Sequence, residues 1–431
     1  MICSDCVSLL PLKKIVIANS SLGRCKYCKL DKQCSENSIL FNYILERIDE
    51  NLAIDKDLSS YEEYMVYEGG SGEINVASLD VVASEWIGFS TDDDINSDIC
   101  DDFLGYVPQR YLKNDNDHDV LYFEDGGVLE RNIFEDKWSA FIEEFTHAHR
   151  FFNPTAQSFL DSIFSFTTTV DGKIKPECLS EVKTGEMLYR ARTVRTYKDA
   201  MVLQSDPAGQ FGPPPKVMAG SQRMTPSGIS AMYCGFDRST CLSEIRAITG
   251  DIVVSVAITP KTTMKFLDLR NLARLEGPDL TWLEEGFLSS CHLQSFISSL
   301  VKKMSKPKGR NDELSYLSTQ VVFEYLRLKF HNQIEGLIFP SVQTGERGSN
   351  AVIFPESCLV SGSTYDEDEL EIPAEPINPG DPFEERPARL MHVARSTMFH
   401  KVTAIETTST DYDNIHEVFM DDLTRQRLGV K

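Results

Sequence analysis

Residues 220–246 read GSQRMTPSGISAMYCGFDRSTCLSEIR. Pro226 and Gly228 are breakers and mark a turn just after Arg223. The short apolar run that follows is a strand carrying Tyr233. Asp237 then sits where a helix needs an oxygen to accept its first backbone N–H groups, and that helix carries Glu244. Turn, strand, cap and helix follow one another with no room for a long loop, and each bears one residue able to do chemistry.

Outward from this stretch the texture is mixed α and β. Strand-like runs are expected at 186–193, 251–259, 263–269, 336–341 and 351–354. Helical spacing of apolar residues recurs near 238–248, 287–304 and 313–330. The first strand contains Leu188-Tyr189-Arg190-Ala191-Arg192; Arg192 competes with Arg190 for a place in a cleft, and Arg190 is taken as the cleft residue. Residues 316–327, YLSTQVVFEYLR, are a helix. Residues 336–354, GLIFPSVQTGERGSNAVIF, are a strand, a loop bearing Ser341, and a second strand.

The N-terminal part differs. Cys3-Ser-Asp-Cys6 and Cys25-Lys-Tyr-Cys28 are two C-x2-C knuckles. Their spacing is that of a closed tetrathiolate zinc site, in which each tight turn supplies two soft ligands. Cys34 is a fifth candidate that can replace one of the four. Residues 38–50 carry a helical stripe. A stronger one runs through Phe134, Trp138, Phe141, Ile142, Phe145, His149 and Phe152. Residues 91–102, TDDDINSDICDD, read as an acidic surface loop. After Val360 the chain is acidic and proline-rich, as in an extended linker or arm.

Composition bounds the function. The 431 residues hold 43 Lys and Arg against 66 Asp and Glu, a net charge of −23. Such a field repels phosphate backbones, so a broad nucleic-acid surface is not expected. Apolar stretches are interrupted well short of the ~18 residues that cross a membrane. Lys13 and Lys14 fall where a signal peptide needs its apolar centre. A cytoplasmic protein with reduced thiols is therefore expected, and the 11 cysteines are read as free thiols or metal ligands.

Taken in order, Tyr189-Arg190, Arg223-Met224-Thr225-Pro226-Ser227-Gly228, Tyr233, Glu244, Thr319-Gln320 and Pro340-Ser341 resemble the RES-domain family, named for its arginine, glutamate and serine. One departure is visible: Ser221 and Gln222 separate Gly220 from Arg223, where the family pattern has glycine and arginine adjacent. The resemblance implies a fold similar to ADP-ribosyltransferase toxins and cleavage of the nicotinamide–ribose bond of NAD+, with phosphate as acceptor in phosphorylase members. Arg190, Arg223, Glu244 and Ser341 are then the catalytic residues. Tyr189, Tyr233, Arg190 and Arg223 bind substrate. Inorganic phosphate is a candidate co-substrate, and an antitoxin or regulatory protein and self-association are implied as partners. The segment WSAFIEEFTHAHRFF (138–152) resembles a helical module of HEPN type. It lacks the Arg–His spacing of HEPN nucleases, since Arg131 is too far from His147 and His149-Arg150 has the wrong order.

The expected organisation is multidomain: a zinc ribbon at 1–35, a helical HEPN-like regulatory domain at 36–170, an α+β ADP-ribosyltransferase-like RES domain at 185–360, and an acidic proline-rich arm at 361–431. Two rival functions stand beside NAD+ cleavage. One is ADP-ribosyl transfer to a macromolecule from the same cleft, and the other is a non-enzymatic adaptor that senses a nucleotide.

Overall fold

The run IVVSVAITP at Ile252–Pro260 is buried at every position after the first. A continuous apolar run of this kind needs cover on both faces and partners on both edges. It has them. In the computed structural model it is strand β10 of a ten-stranded mixed sheet, ordered β14-β15-β10-β8-β9-β13-β12-β11-β7, with β16 also paired to β10. The strands are β7 (Leu179–Val182), β8 (Leu188–Val194), β9 (Met232–Gly235), β11 (Met264–Asp268), β12 (Gly336–Pro340), β13 (Ser349–Ile353), β14 (Val360–Ser363), β15 (Leu390–His392) and β16 (Met398–Lys401). β8 runs antiparallel along β10 from Leu188 opposite Ile258 to Val194 opposite Ile252. On the other edge of β10, β16 covers Ile252–Ser255 and β15 covers Ile258–Pro260. The parallel pairs are β11 with β12 and β14 with β15.

The structure describes residues 1–54, 76–124, 132–150, 152–275, 277, 279–305, 316–363 and 387–405. They fall into two compact units, one drawn from 1–136 and 277–295, the other from 137–275 and 296–405. This division differs from the expected one at three places. The aromatic stripe expected in an N-terminal helical domain lies mostly in the second unit. There Trp138 stacks on Phe141 at 5.0 Å, Phe141 meets Phe145 at 4.9 Å and Phe159 at 5.7 Å, and Phe296 closes on Trp138 and Phe159. The helix Ile133–His147 ends before His149, and Phe152 is fully exposed, so the last members of the stripe are not core. Asn153 caps the next helix, Pro154–Phe164, by accepting from the Ala156 N–H. Arg131 lies outside the described residues.

The second difference is the C-terminal arm. Residues 364–386 and 406–431 lie outside the described residues, but β15 and β16 are strands of the main sheet. Three- and four-residue strands carry almost no periodic signal of their own, and their partner β10 supplies the order. The third is the segment 277–295, which belongs to the first unit. Asn51 Nδ2 donates to the Trp282 and Glu284 carbonyls at 2.7 and 2.9 Å, and Tyr43 Oη donates to the Leu283 carbonyl at 2.7 Å.

Within the first unit, β1 (Ile2–Cys3), β2 (Ser21–Arg24) and β3 (Asp31–Ser35) form a sheet ordered β1-β3-β2, with the helix Leu10–Ala18 between the two cysteine knuckles. The region expected to be helical also holds a sheet, β4 (Leu52–Ile54), β5 (Ala77–Ser78) and β6 (Leu121–Glu124), ordered β4-β6-β5. The acidic stretch at 91–102 is not a loop. Asp92 caps the helix Asp93–Tyr106, and Asp93 and Asp94 sit in its first turn, where the helix dipole favours negative charge. Phe41, Phe89 and Phe103 form an aromatic core here, with ring centroids 5.4 and 5.8 Å apart. Among the described residues no helix is long and apolar enough to cross a membrane.

In the second unit, Phe296 is fully buried among other rings. Phe296→Ala is expected to lower the stability of that unit by about 3–5 kcal/mol. Denaturant unfolding followed by a probe in the second unit checks this, and a loss below about 1 kcal/mol would mean that the aromatic layer is not core.

Candidate active site

Arg190 on β8, Tyr233 on β9 and Asn350 on β13 stand on neighbouring strands. With Arg223, Glu244 and Tyr316 they line a cleft of about 400 Å³ in the second unit. The sheet order brings together residues that are far apart in the chain, because β9 and β13 lie side by side between β8 and β12.

Glu244 is aimed by what precedes its helix. Gly235 ends β9, and a Cβ there would stand 2.9 Å from the Cys241 nitrogen and 3.0 Å from the Asp237 carbonyl. Glycine therefore lets the helix Arg238–Glu244 start directly off the strand. Asp237 caps it, accepting from the Thr240 N–H at 2.7 Å and from the hydroxyls of Ser239 and Thr240 at 2.5 and 2.6 Å. Burial alone would raise the Asp237 pKa, but these donors outweigh it and hold the carboxyl below its ordinary range. At the far end of the helix, Glu244 Oε1 accepts from Ser341 Oγ at 2.6 Å and from Asn350 Nδ2 at 2.6 Å.

Arg223 rides on a loop that is pinned from behind. Gln320 Nε2 donates to Ser221 Oγ and to the Gln222 and Thr225 carbonyls, and Thr319 Oγ1 donates to the Arg223 carbonyl. Tyr233 Oη accepts from the Met224 N–H at 3.0 Å. Gly228 closes the loop at φ +88°, a backbone region that glycine reaches without cost, and its N–H donates to the Ala219 carbonyl. Ser221 and Gln222, the two residues that depart from the family pattern, are thus absorbed into hydrogen bonds, and Gln222 lines the cleft. The Arg223 guanidinium lies 5.6 Å over the Phe339 ring. Arg190 Nη1 donates to the Gly212 carbonyl at 3.0 Å.

One expectation, that Tyr189 binds substrate, is corrected by the alternation of side chains along a strand. Positions 190 and 192 are two apart, so they share a face of β8. Opposite them on β10 stand Val256 and Val254, both of one core cluster. Arg190 lines the cleft; Arg192 is half-buried beside it, and burial together with the Arg190 charge lowers its pKa. Tyr189 points the other way. Its ring carries the Arg238 guanidinium at 4.8 Å and is not part of the cleft wall. Ser341 is fully buried and reaches the cleft only through Glu244. Tyr233 remains in the wall, with burial pushing its phenol up to about 12.

Sequence reasoning missed Tyr316, Asn350 and Arg246 in the wall. Asn350 lies in the quoted strand–loop–strand, but nothing in a sequence says which oxygen an amide will meet. Cys234 and Cys241 also face the cleft; burial raises both thiols to about 12, so at neutral pH they are protonated and not nucleophiles. The arrangement offers an anion two or three guanidiniums, and offers a developing cation one carboxylate, across one small space.

Residues 187–371 match the RES domain family. The cleft residues all lie inside the RES region, while the match does not extend to the N-terminal knuckles or the aromatic helix. The main sheet continues beyond the RES region into β15 and β16. A search of curated proteins finds no match to the chain.

The first unit carries a separate site. The sulfurs of Cys3, Cys6, Cys25 and Cys28 all lie within 4.8 Å of one another. Cys3 to Cys6 is 3.6 Å, Cys3 to Cys28 is 3.7 Å and Cys6 to Cys25 is 3.7 Å. Sulfurs about 2.3 Å from a central ion in a tetrahedron stand about 3.8 Å apart. The four thiols therefore fit one metal ion. Cys34 is not the fifth candidate in practice: its thiol points to the Gly23 carbonyl at 3.4 Å. Metal analysis of the purified chain should find one bound ion per molecule, absent from a Cys25→Ser, Cys28→Ser double variant. An equal metal content in the two proteins would exclude this site.

Proposed function

We propose that the chain cleaves the nicotinamide–ribose bond of NAD+. The observation that carries this is the convergence of Arg190, Arg223 and the Glu244 carboxylate on one cleft within the RES region. The bond from the ribose anomeric carbon to the pyridinium nitrogen breaks, and its electron pair neutralises the ring. Nicotinamide leaves as a neutral molecule, so no proton has to be supplied to it. The ribose becomes oxocarbenium-like, and Glu244 stabilises that positive charge. The forked donors of Arg190 and Arg223 suit the diphosphate or an incoming phosphate. Phosphate as acceptor gives ADP-ribose 1″-phosphate; water gives ADP-ribose and a proton. We read the sheet of the RES region as ADP-ribosyltransferase-like. We assign the chain the part of a toxin or defence effector that an antitoxin or regulatory protein, or self-association, holds in check. Zinc is the ion we assign to the four cysteines, as a structural element with no part in the chemistry.

Incubation of the purified chain with NAD+, with and without phosphate, should release nicotinamide, and the second product identifies the acceptor. Glu244→Gln keeps the shape and removes the charge, and should lower turnover by about 10²–10³ with a small effect on binding. Arg223→Ala should weaken binding and turnover together. Cleavage by Glu244→Gln at the wild-type rate would overturn the mechanism. Label transferred to a macromolecule would favour the transferase, and binding without nicotinamide release would favour the adaptor.

A further inference from the structure

We propose that Asn350 is the positioning residue for Glu244: its amide fixes Oε1 and leaves Oε2 as the oxygen that meets the substrate. This rests on the reading of the cleft as the site of NAD+ cleavage. A carboxylate only accepts, so both groups on Oε1 must be donors, Asn350 Nδ2 and Ser341 Oγ, each at 2.6 Å. Among the described residues Oε2 meets no donor, although Glu244 lines the cleft. The two oxygens are therefore inequivalent. One is tied to the protein, and the other is left without a protein donor on a side chain that lines the cleft.

Asn350 is built to hold still. It is buried, and it lies on β13 between Phe339 of β12 and Gly235 of β9. Residues directly opposite in an antiparallel pair share a face. The side chain that Gly235 lacks would occupy the space beside Asn350. That space is filled instead by the backbone at Asp237 and Cys241. Gly235 thus brings the Glu244 helix down to the Asn350 amide. Ser341 alone can tether Oε1, but one bond leaves the carboxylate free to rotate about its terminal torsion. Two donors from different strands' ends fix its plane. The charged groups that line the same space are Arg190, Arg223 and Arg246, and the donors on Oε1 are Ser341 and Asn350 instead.

Three measurements test this on the full chain. Asn350→Ala should keep its melting temperature within a few degrees and lower kcat for nicotinamide release by up to about 10²-fold, with KM nearly unchanged. Asn350→Asp, which sets an acceptor against an acceptor, should be worse than alanine at neutral pH. A structural role alone would move stability and the active fraction, not split kcat from KM. In ¹⁵N-labelled protein, the Asn350 side-chain amide signal, identified by its loss in Asn350→Ala, should shift in Glu244→Ala. Unchanged kcat in Asn350→Ala overturns the proposal, and so does an amide signal indifferent to Glu244→Ala. If the wild type releases no nicotinamide, the reading of the cleft falls, while the amide signal still decides whether Asn350 holds Glu244. If Asn350→Ala does not fold, the Glu244→Ala comparison decides alone.

Discussion

Two hydrogen bonds on one carboxylate oxygen join three parts of the second unit that lie 97 and 106 residues apart in the chain. The helix Arg238–Glu244, the end of β12 and the start of β13 meet at Glu244 Oε1. A half-buried carboxylate oxygen that lost these donors would bear part of the cost of desolvation, so the contact constrains all three elements at once. It also explains why Gly235 must be glycine. The helix has to leave β9 without a loop, or Glu244 could not reach Asn350.

A second set of constraints stands behind Arg223. Gln320 and Thr319 sit on the helix Leu317–Phe330 and hold the backbone of the loop that presents the arginine. Their side chains are buried, and their hydrogen bonds go to main-chain carbonyls that a loop would otherwise leave unpaired. The loop is thus made rigid by an element remote in sequence. Glu244 and Arg223, the groups of opposite charge across the cleft, are each fixed by side chains that do not themselves enter it, apart from Asn350 and Tyr233.

Local chemistry was legible in the sequence and distant pairing was not. The two knuckles announce themselves because each supplies two ligands from a single turn. Arg190, Tyr233 and Glu244 sit on elements with clear start signals, a strand after a turn or a helix behind Asp237, and Arg223 on the loop before Pro226, but only the ordered resemblance to the RES family marks them as one set. Tyr189 is expected to bind substrate, but it alternates with Arg190 along β8 and its ring meets Arg238 outside the cleft wall. Ser341 was read as a hydroxyl in the cleft, but its burial makes it a tether. The aromatic helix was placed in the wrong unit because its stripe says that a face is buried and not against what. Phe159 and Phe296 decide that, and they lie downstream. β15 and β16 could not be read at all: they are short, they follow an acidic proline-rich stretch, and only β10 gives them a register.

The local charge of the cleft differs from the charge averaged over the chain. The net charge is −23, yet the described wall of the cleft holds Arg190, Arg223 and Arg246 against Glu244. Exposed charges more than about 8–10 Å away are largely screened at physiological salt. A small anion that has entered the cleft is governed by the guanidiniums beside it. The proposed substrate carries two negative charges on its diphosphate and one positive charge on its pyridinium, so the long-range repulsion it meets is that of roughly one net charge. A nucleic acid brings one negative charge for about every 1.7 Å of duplex, and most of them would stay outside the cleft against the acidic surface. On the proposed reading, the same field admits a dinucleotide and turns away a polymer with identical phosphate chemistry. The distinction arises from where the arginines are placed rather than from how many the chain contains.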